Sequence, residues 1–314
     1  MTMSNGISRR EAITGFLGLG GAIAGNLGLW AAAEEHPAHP VAPPDAVAML
    51  YDNNLCTGCR ACMMACNDAN GLPSDTRLSS GLWDMPLDLN SKTKNIIKLC
   101  EEPEGRGFAY VKRQCMHCLD PACVTGCPFS ALKKSEWGAV TWTSSLCIGC
   151  RYCEVACPFD VPKFEWDKWN PKIVKCEFCF DQRLKENMQP ACTAVCPTGA
   201  VIFGKRADLL EKAKARIAAS PAKYYEQRVY GEHEAGGTQV LYLSHVPFQD
   251  IGLPKLGPTS LGHYATKVTS VIYKWLSGPL FAAVLLGAAI KRNWNRHEEE
   301  RPGRERKTGL REQL

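Results

Sequence analysis

Sixteen of the seventeen cysteines fall into four runs of four: Cys56, Cys59, Cys62, Cys66; Cys115, Cys118, Cys123, Cys127; Cys147, Cys150, Cys153, Cys157; and Cys176, Cys179, Cys192, Cys196. A chain of 314 residues can bury a core without covalent staples, so this excess of thiols is chemical in purpose. Zinc sites use CxxC pairs in closed tetrahedra, and a disulfide framework needs no CxxCxxC period repeated along the chain. A cubane 4Fe-4S cluster needs one thiolate per iron. A CxxCxxC loop supplies three of them, and in the run CxxCxxCxxxCP the last cysteine binds the other cluster of a pair. Pro128, Pro158 and Pro197 stand directly behind the fourth cysteine of three runs, with Asn67 in that place in the first. Lacking an N–H and fixed in φ, proline ends the ligand turn and sends the chain off the cluster. Cys100 lies outside every run and reads as an ordinary free thiol. His117, inside "CMHC", sits in a run that already has four cysteines, so its expected role is structural or potential-tuning. No acid–base or nucleophilic constellation accompanies these runs, which points to a protein that is not itself an enzyme.

The elements that hold the runs are short. Residues 51–204 form an internal repeat of cysteine runs separated by turn-rich or short β segments. "ALKKSEWGAVTW" predicts a hairpin turning at Glu136, Trp137 and Gly138. Residues 67–114 read as polar and irregular, an inserted lobe. Beyond Gly204, Asp208 and Glu211 offer a capping box for a helix "LLEKAKARIAAS", with Leu209, Leu210, Ala213 and Ile217 on one face. A strand is expected in "TQVLYLSHV", and residues 205–266 read as a strap leading to the C-terminal segment.

Both ends read as addresses. Paired Arg9 and Arg10, a Gly-rich apolar stretch and Ala31, Ala32 and Ala33 make residues 1–33 a twin-arginine signal peptide. That route carries proteins already folded, which suits a cofactor installed before export. Residues 34–50 are a Pro-rich linker. Residues 267–291 include "VTSVIYKWLSGPLFAAVLLGAAI", long enough to cross a bilayer as one transmembrane helix. Seven Lys or Arg in residues 291–310 against two in residues 248–267 would leave the basic tail 292–314 in the cytoplasm and the bulk on the periplasmic face of the inner membrane. Of the formal charge of +5, the leader carries +1 and residues 291–314 carry +3, so the body is nearly neutral and gives no reason to expect nucleic acid.

"CMHCLDPACVTGCP", "CIGCRYCEVACPFDVPKF", "KCEFC" and "CTAVCPTGAVIFG" resemble the four-cluster iron-sulfur subunits of the molybdopterin-oxidoreductase and membrane-hydrogenase class. With the leader, "GGTQVLYLSHVPFQDIGLPKL" and a single C-terminal helix, the chain is most similar within that class to the electron-transfer subunits of hydrogenase-2 type nickel-iron hydrogenases. The resemblance covers residues 1 to about 290. It implies an α+β fold of two ferredoxin-like double-cluster units with little regular secondary structure, plus one C-terminal transmembrane helix. It also implies four 4Fe-4S clusters with exchanged ligands: cluster 1 on Cys56, Cys59, Cys62 and Cys196; cluster 2 on Cys66, Cys176, Cys179 and Cys192; cluster 3 on Cys115, Cys118, Cys123 and Cys157; cluster 4 on Cys127, Cys147, Cys150 and Cys153. The implied partners are catalytic hydrogenase subunits and an integral, quinone-reactive membrane subunit. The competing expectations are an iron-sulfur subunit of a periplasm-facing formate dehydrogenase or other molybdopterin oxidoreductase and, in a different class, a disulfide-stapled secreted binding module.

Overall fold

The computed structural model describes residues 37–73, 86–102 and 107–299. The expected leader at residues 1–33 and the end of the basic tail lie outside the described residues. Contacts divide the chain into one unit over residues 34–266 and a second that holds the C-terminal helix.

The larger unit is organised by a three-stranded sheet in the order β8-β1-β9. Strand β1 (Val47–Asp52) is a short apolar run that pairs antiparallel with β8 (Val201–Lys205), from Val47 against Lys205 to Tyr51 against Val201. On its other edge it pairs in parallel with β9 (Val240–Leu243), Met49 lying opposite Val240. Successive side chains of a strand point to opposite faces. Ala48, Leu50, Leu241 and Leu243 therefore pack on one side against Leu209, Ala213 and Ile217 of a helix, while Met49, Tyr51, Val240 and Tyr242 face the cysteine-lined core on the other. The helix spans Arg206–Ala219; its buried residues recur every four positions, as the sequence pattern predicts. The expected capping box is not formed. The helix begins two residues before Asp208, at Arg206, with Lys205 as an N-cap that makes no side-chain bond, because β8 runs directly into the first turn. Arg216, in the helix's last turn, reaches back at 3.0 Å to the fully buried Asp52 at the end of β1, and the Tyr224 hydroxyl donates to the same carboxylate at 3.1 Å.

Residues 67–114 depart from the expectation of an irregular lobe. Strands β2 (Asn95–Glu101) and β3 (Phe108–Gln114) form an antiparallel hairpin, Asn95 opposite Gln114. Ile96, Ile97, Ala109 and Val111 are buried in the same core as Tyr51 and Tyr242. The charged residues of "NIIKLCE" and "FAYVKRQ" mask the strand pattern in the sequence, since Lys112 is itself buried rather than turned to solvent. The predicted hairpin is present as β4 (Leu132–Lys134) and β5 (Val140–Trp142). A shorter pair, β6 (Lys163–Phe164) and β7 (Ile173–Val174), follows the third run. The expected strap is integral to the fold: its strand β9 is fully buried, and Cys118 of the second run forms an isolated β-bridge to Thr238.

One helix runs without a break from Leu261 to Glu299, with Pro279 inside it, and residues from 267 onward fall in the second unit. Among the described residues, no helix is long and apolar enough to cross a membrane, which corrects the expectation of a transmembrane span over residues 267–291. The uncharged run 275–290 is only 16 residues, short of the ~20 that a hydrocarbon core requires, and Lys291 and Arg292 close it. Leu280, Val284, Leu286 and Ile290 are nevertheless exposed.

Candidate metal centres

Each run is held by a helix too short to be stable alone, and the loop before it is bent by residues in left-handed conformation. In the first run, "CTGCRAC", Gly58 and Arg60 have φ of 67° and 59°, and helix α1 (Ala61–Ala69) starts on the next residue. The third run, "CIGCRYC", repeats this with Gly149 at 72°, Arg151 at 64° and α3 (Tyr152–Val155). Glycine is required at the first of these positions: a Cβ on Gly149 would lie 2.6 Å from the Pro171 carbonyl oxygen, and one on Gly58 2.3 Å from the Tyr110 ring. The second run turns through His117 (φ 49°) before α2 (Ala122–Thr125). The fourth turns through Phe178 and Cys179 (58° and 52°), with α4 (Ala191–Ala194) further on. Successive left-handed residues turn backbone N–H groups toward a common concavity, a geometry suited to anionic sulfur.

The thiols gather by space, not by run. Cys56, Cys59 and Cys62 line one recess together with Cys196 from the far end of the domain. Cys127 lines another with Cys147, Cys150 and Cys153. Burial pushes the Cys118 thiol well up, and Cys157, Cys123 and Cys115 add to the rise, so those four share one neighbourhood. Burial likewise lifts Cys66 to about 11, with Cys192 and Cys179 adding to it, and Cys176 is raised by burial and then by Cys66 and Cys192. In all four groups the fourth cysteine of a run has left its own run for another. Only Cys196 moves down: burial opposes this, but backbone N–H groups of Val201, Thr198 and Ala200 and the Thr198 hydroxyl stabilise its thiolate.

The groups are also electrostatic neighbours in order. Cys62 of the first group is raised, after burial, by Cys192 of the second. Cys176 of the second is raised in part by Cys115 of the third. Cys123 of the third is raised in part by Cys153 of the fourth. The four groups therefore form a row. All seventeen cysteines are free of disulfides, which removes the stapled-module expectation. Among the described residues no three His, Cys, Asp or Glu side chains close on a single metal ion, as the ~2.3 Å Zn–S bonds of a zinc site would require. Groups of four thiols around a recess, with amide donors turned inward, fit a polynuclear iron-sulfur cluster, whose irons take one thiolate each.

The sequence reading missed the residues between the groups. Lys112 on β3 is 1% exposed and donates to the Gln114 side-chain oxygen. Burial opposes its charge, but Cys192, Cys62, Cys176 and Cys66 more than offset this, so it stays a cation between the first and second groups. Lys175 is also buried and donates to the carbonyls of Val140 and, at 2.9 Å, Cys176. Lys134 donates to the carbonyls of His117 and Cys118 at 3.0 and 2.6 Å, and burial brings its pKa down to about 8. Lys94 bridges Asn70 at 2.9 Å and Glu177 at 3.0 Å, and Glu177 in turn accepts from the Trp142 N–H, clamping runs one and four to β5. Lysines in strands read as solvent-facing from sequence alone; only the crowding of four thiol groups marks them as buried counter-charges.

Thiols arranged in paired groups with exchanged ligands define an iron-sulfur protein of the dicluster ferredoxin type, and the family comparisons agree. Two models described as 4Fe-4S dicluster domain match residues 55–131 and 107–206. Hydrogenase-2 operon protein HybA of Escherichia coli O157:H7 is 39% identical over 295 residues, covering 84% of this chain and 88% of that protein. The nitrate-inducible formate dehydrogenase iron-sulfur subunit of Escherichia coli K12 is 37% identical over 216 residues, 67% of this chain and 72% of that protein. The formate dehydrogenase iron-sulfur subunit of Haemophilus influenzae is 35% identical over 217 residues. The chain belongs to the HybA-like family of iron-sulfur proteins.

Proposed function

We propose that the chain is a non-catalytic electron-transfer subunit with four 4Fe-4S clusters, held by the ligand sets that the resemblance implies: Cys56, Cys59, Cys62, Cys196; Cys66, Cys176, Cys179, Cys192; Cys115, Cys118, Cys123, Cys157; and Cys127, Cys147, Cys150, Cys153. The observation that carries this is the row of thiol groups, each near enough to the next for one cysteine to raise the pKa of another. A cluster, when bound, supplies one-electron chemistry. The chain's own part is to space the sites, to exclude water from them and to set local charge through Lys112, Lys134 and Lys175.

The likeness to HybA over 88% of that protein favours a nickel-iron hydrogenase as the catalytic partner over a formate dehydrogenase. In this reading electrons pass from the hydrogenase to a quinone-reactive membrane subunit. The twin-arginine pattern of residues 1–33 supports a position on the periplasmic face of the inner membrane. The exposed apolar side chains of the C-terminal helix support attachment there, by packing against the membrane subunit.

The test is anaerobic purification of the intact complex. Expected are a brown protein with about sixteen irons and sixteen acid-labile sulfides in this subunit, and hydrogen-driven reduction of its centres. A colourless subunit, or centres reduced by formate but not by hydrogen, refutes the reading.

A further inference from the structure

The third and second thiol groups meet where two left-handed loops face each other. His117, between Cys115 and Cys118, stacks on Phe178, between Cys176 and Cys179, with ring centroids 3.7 Å apart and planes inclined by 25°. Both residues are fully buried. This seam is where one pair of groups hands over to the other, through Cys176 and Cys115.

The protonation of the His117 ring follows from its hydrogen bonds. The Val140 N–H donates to Nδ1 at 2.8 Å, so Nδ1 carries no proton and Nε2 does. Val140 is held in turn: its carbonyl accepts from Lys175, and β5 pairs it with Lys134. The Nε2–H is enclosed, yet has no partner among the described residues. A buried N–H left unpaired costs about 1–3 kcal/mol, and native structures rarely leave one without an acceptor. Such an N–H, fixed in tautomer and lying in sequence between Cys115 and Cys118 and by stacking beside the Cys176–Cys179 loop, calls for an acceptor that the thiol groups could hold here.

We propose that His117 Nε2–H donates a hydrogen bond to a sulfur of one of the two clusters that meet at this seam, and that the bond sets the potential of that centre. The inference rests on the cluster assignment above. A hydrogen bond to sulfur is stronger when the cluster is reduced and more negative, so it favours the reduced state and raises the potential. His117 acts here as a tuning residue and touches no substrate.

The experiment is a redox titration of the full chain in its complex, followed by electron spin resonance, for the unaltered protein, His117→Phe and His117→Gln. His117→Phe keeps the stack and removes the donor. His117→Gln restores an acceptor for Val140 and a donor beyond it. The expected result for His117→Phe is a fall of about tenfold in the reduction equilibrium of one seam centre, about 59 mV for a one-electron couple, with the two end centres unmoved; His117→Gln recovers most of it. In protein labelled with 15N-histidine, the same centre in its reduced state should show a 15N hyperfine coupling that is absent from His117→Gln. Should His117→Phe fail to assemble, this coupling decides alone. Unchanged potentials together with no 15N coupling, in protein that holds all its clusters, overturn the inference and leave the cluster assignment intact; protein without clusters overturns both.

Discussion

Lys112→Met is the sharpest probe of the row. The lysine is buried on β3 with thiols of the first and second groups around it, and among the described residues its side chain meets no carboxylate and donates to the Gln114 amide oxygen. Removing it deletes one positive charge from the space between two reducible centres. Two unit charges about 6–8 Å apart at an effective dielectric constant of about 20 interact by about 2–3 kcal/mol. At 59 mV per tenfold change for a one-electron couple, this corresponds to a fall on the order of 100 mV. The fall should appear in the centres bound by the first and second groups and fade toward the fourth, because the largest pulls on the lysine come from Cys192, Cys62, Cys176 and Cys66. The assay is potentiometric titration of the purified complex, with iron content measured in parallel and Lys112→Arg as the charge-preserving control. Potentials that stay put in fully loaded protein, or a largest shift at the Cys127-containing centre, would refute the assignment of Lys112 as counter-charge to the first two groups.

Four further outcomes follow from the same geometry. Cys157→Ala should damage the centre of Cys115, Cys118 and Cys123 while sparing the one around Cys147, read as selective loss of one spin-resonance signal; the reverse pattern would exclude the ligand exchange. Gly149→Ala forces a Cβ to within 2.6 Å of a backbone carbonyl at a φ of 72°, so it should destabilise the third-run loop by at least ~2 kcal/mol and release the iron of a single cluster, whereas Gly71→Ala, with φ of 60° and open space, should cost only about 1 kcal/mol. Arg216→Met strands a fully buried Asp52 and should lower stability by about 3 kcal/mol in thermal or denaturant unfolding. In metal-free, reduced protein, burial raises Cys62 to about 12 and Cys66 and Cys157 to about 11, above the unfolded value of 9.0. The folded state then holds more protons than the unfolded one above pH 9, so this contribution is intact below pH 9 and disappears as pH climbs through 11 to 12. Cluster-loaded protein should lack this dependence, since its thiols are already deprotonated.

The cysteine spacings alone announced the chemistry, because a thiolate's use is written in its distance to the next one. The hairpin at Glu136 and the buried face of the Arg206–Ala219 helix were equally legible, since each follows a local period. What the sequence concealed was set by long-range packing. β2 and β3 carry lysines that only a crowd of thiols makes tolerable inside, and β9 looked like part of a connector because its partner strand lies at the other end of the domain. The capping box failed for a local reason of another kind: a strand that feeds straight into a helix leaves no separate cap. The C-terminal segment shows the limit of hydropathy by eye, since a long helix and a long uncharged stretch are different lengths in this chain.

The placement of β1 has a consequence for biogenesis. This strand leaves the ribosome early, yet both its neighbours come late: Asn53, at its end, bonds Ser244, 191 positions downstream. Until that distant segment has been synthesised, β1 lacks its parallel neighbour β9, and contacts of such separation form slowly. The three-stranded sheet can therefore be completed only once β9 has been made, and any factor that shields β1 must stay in place until then.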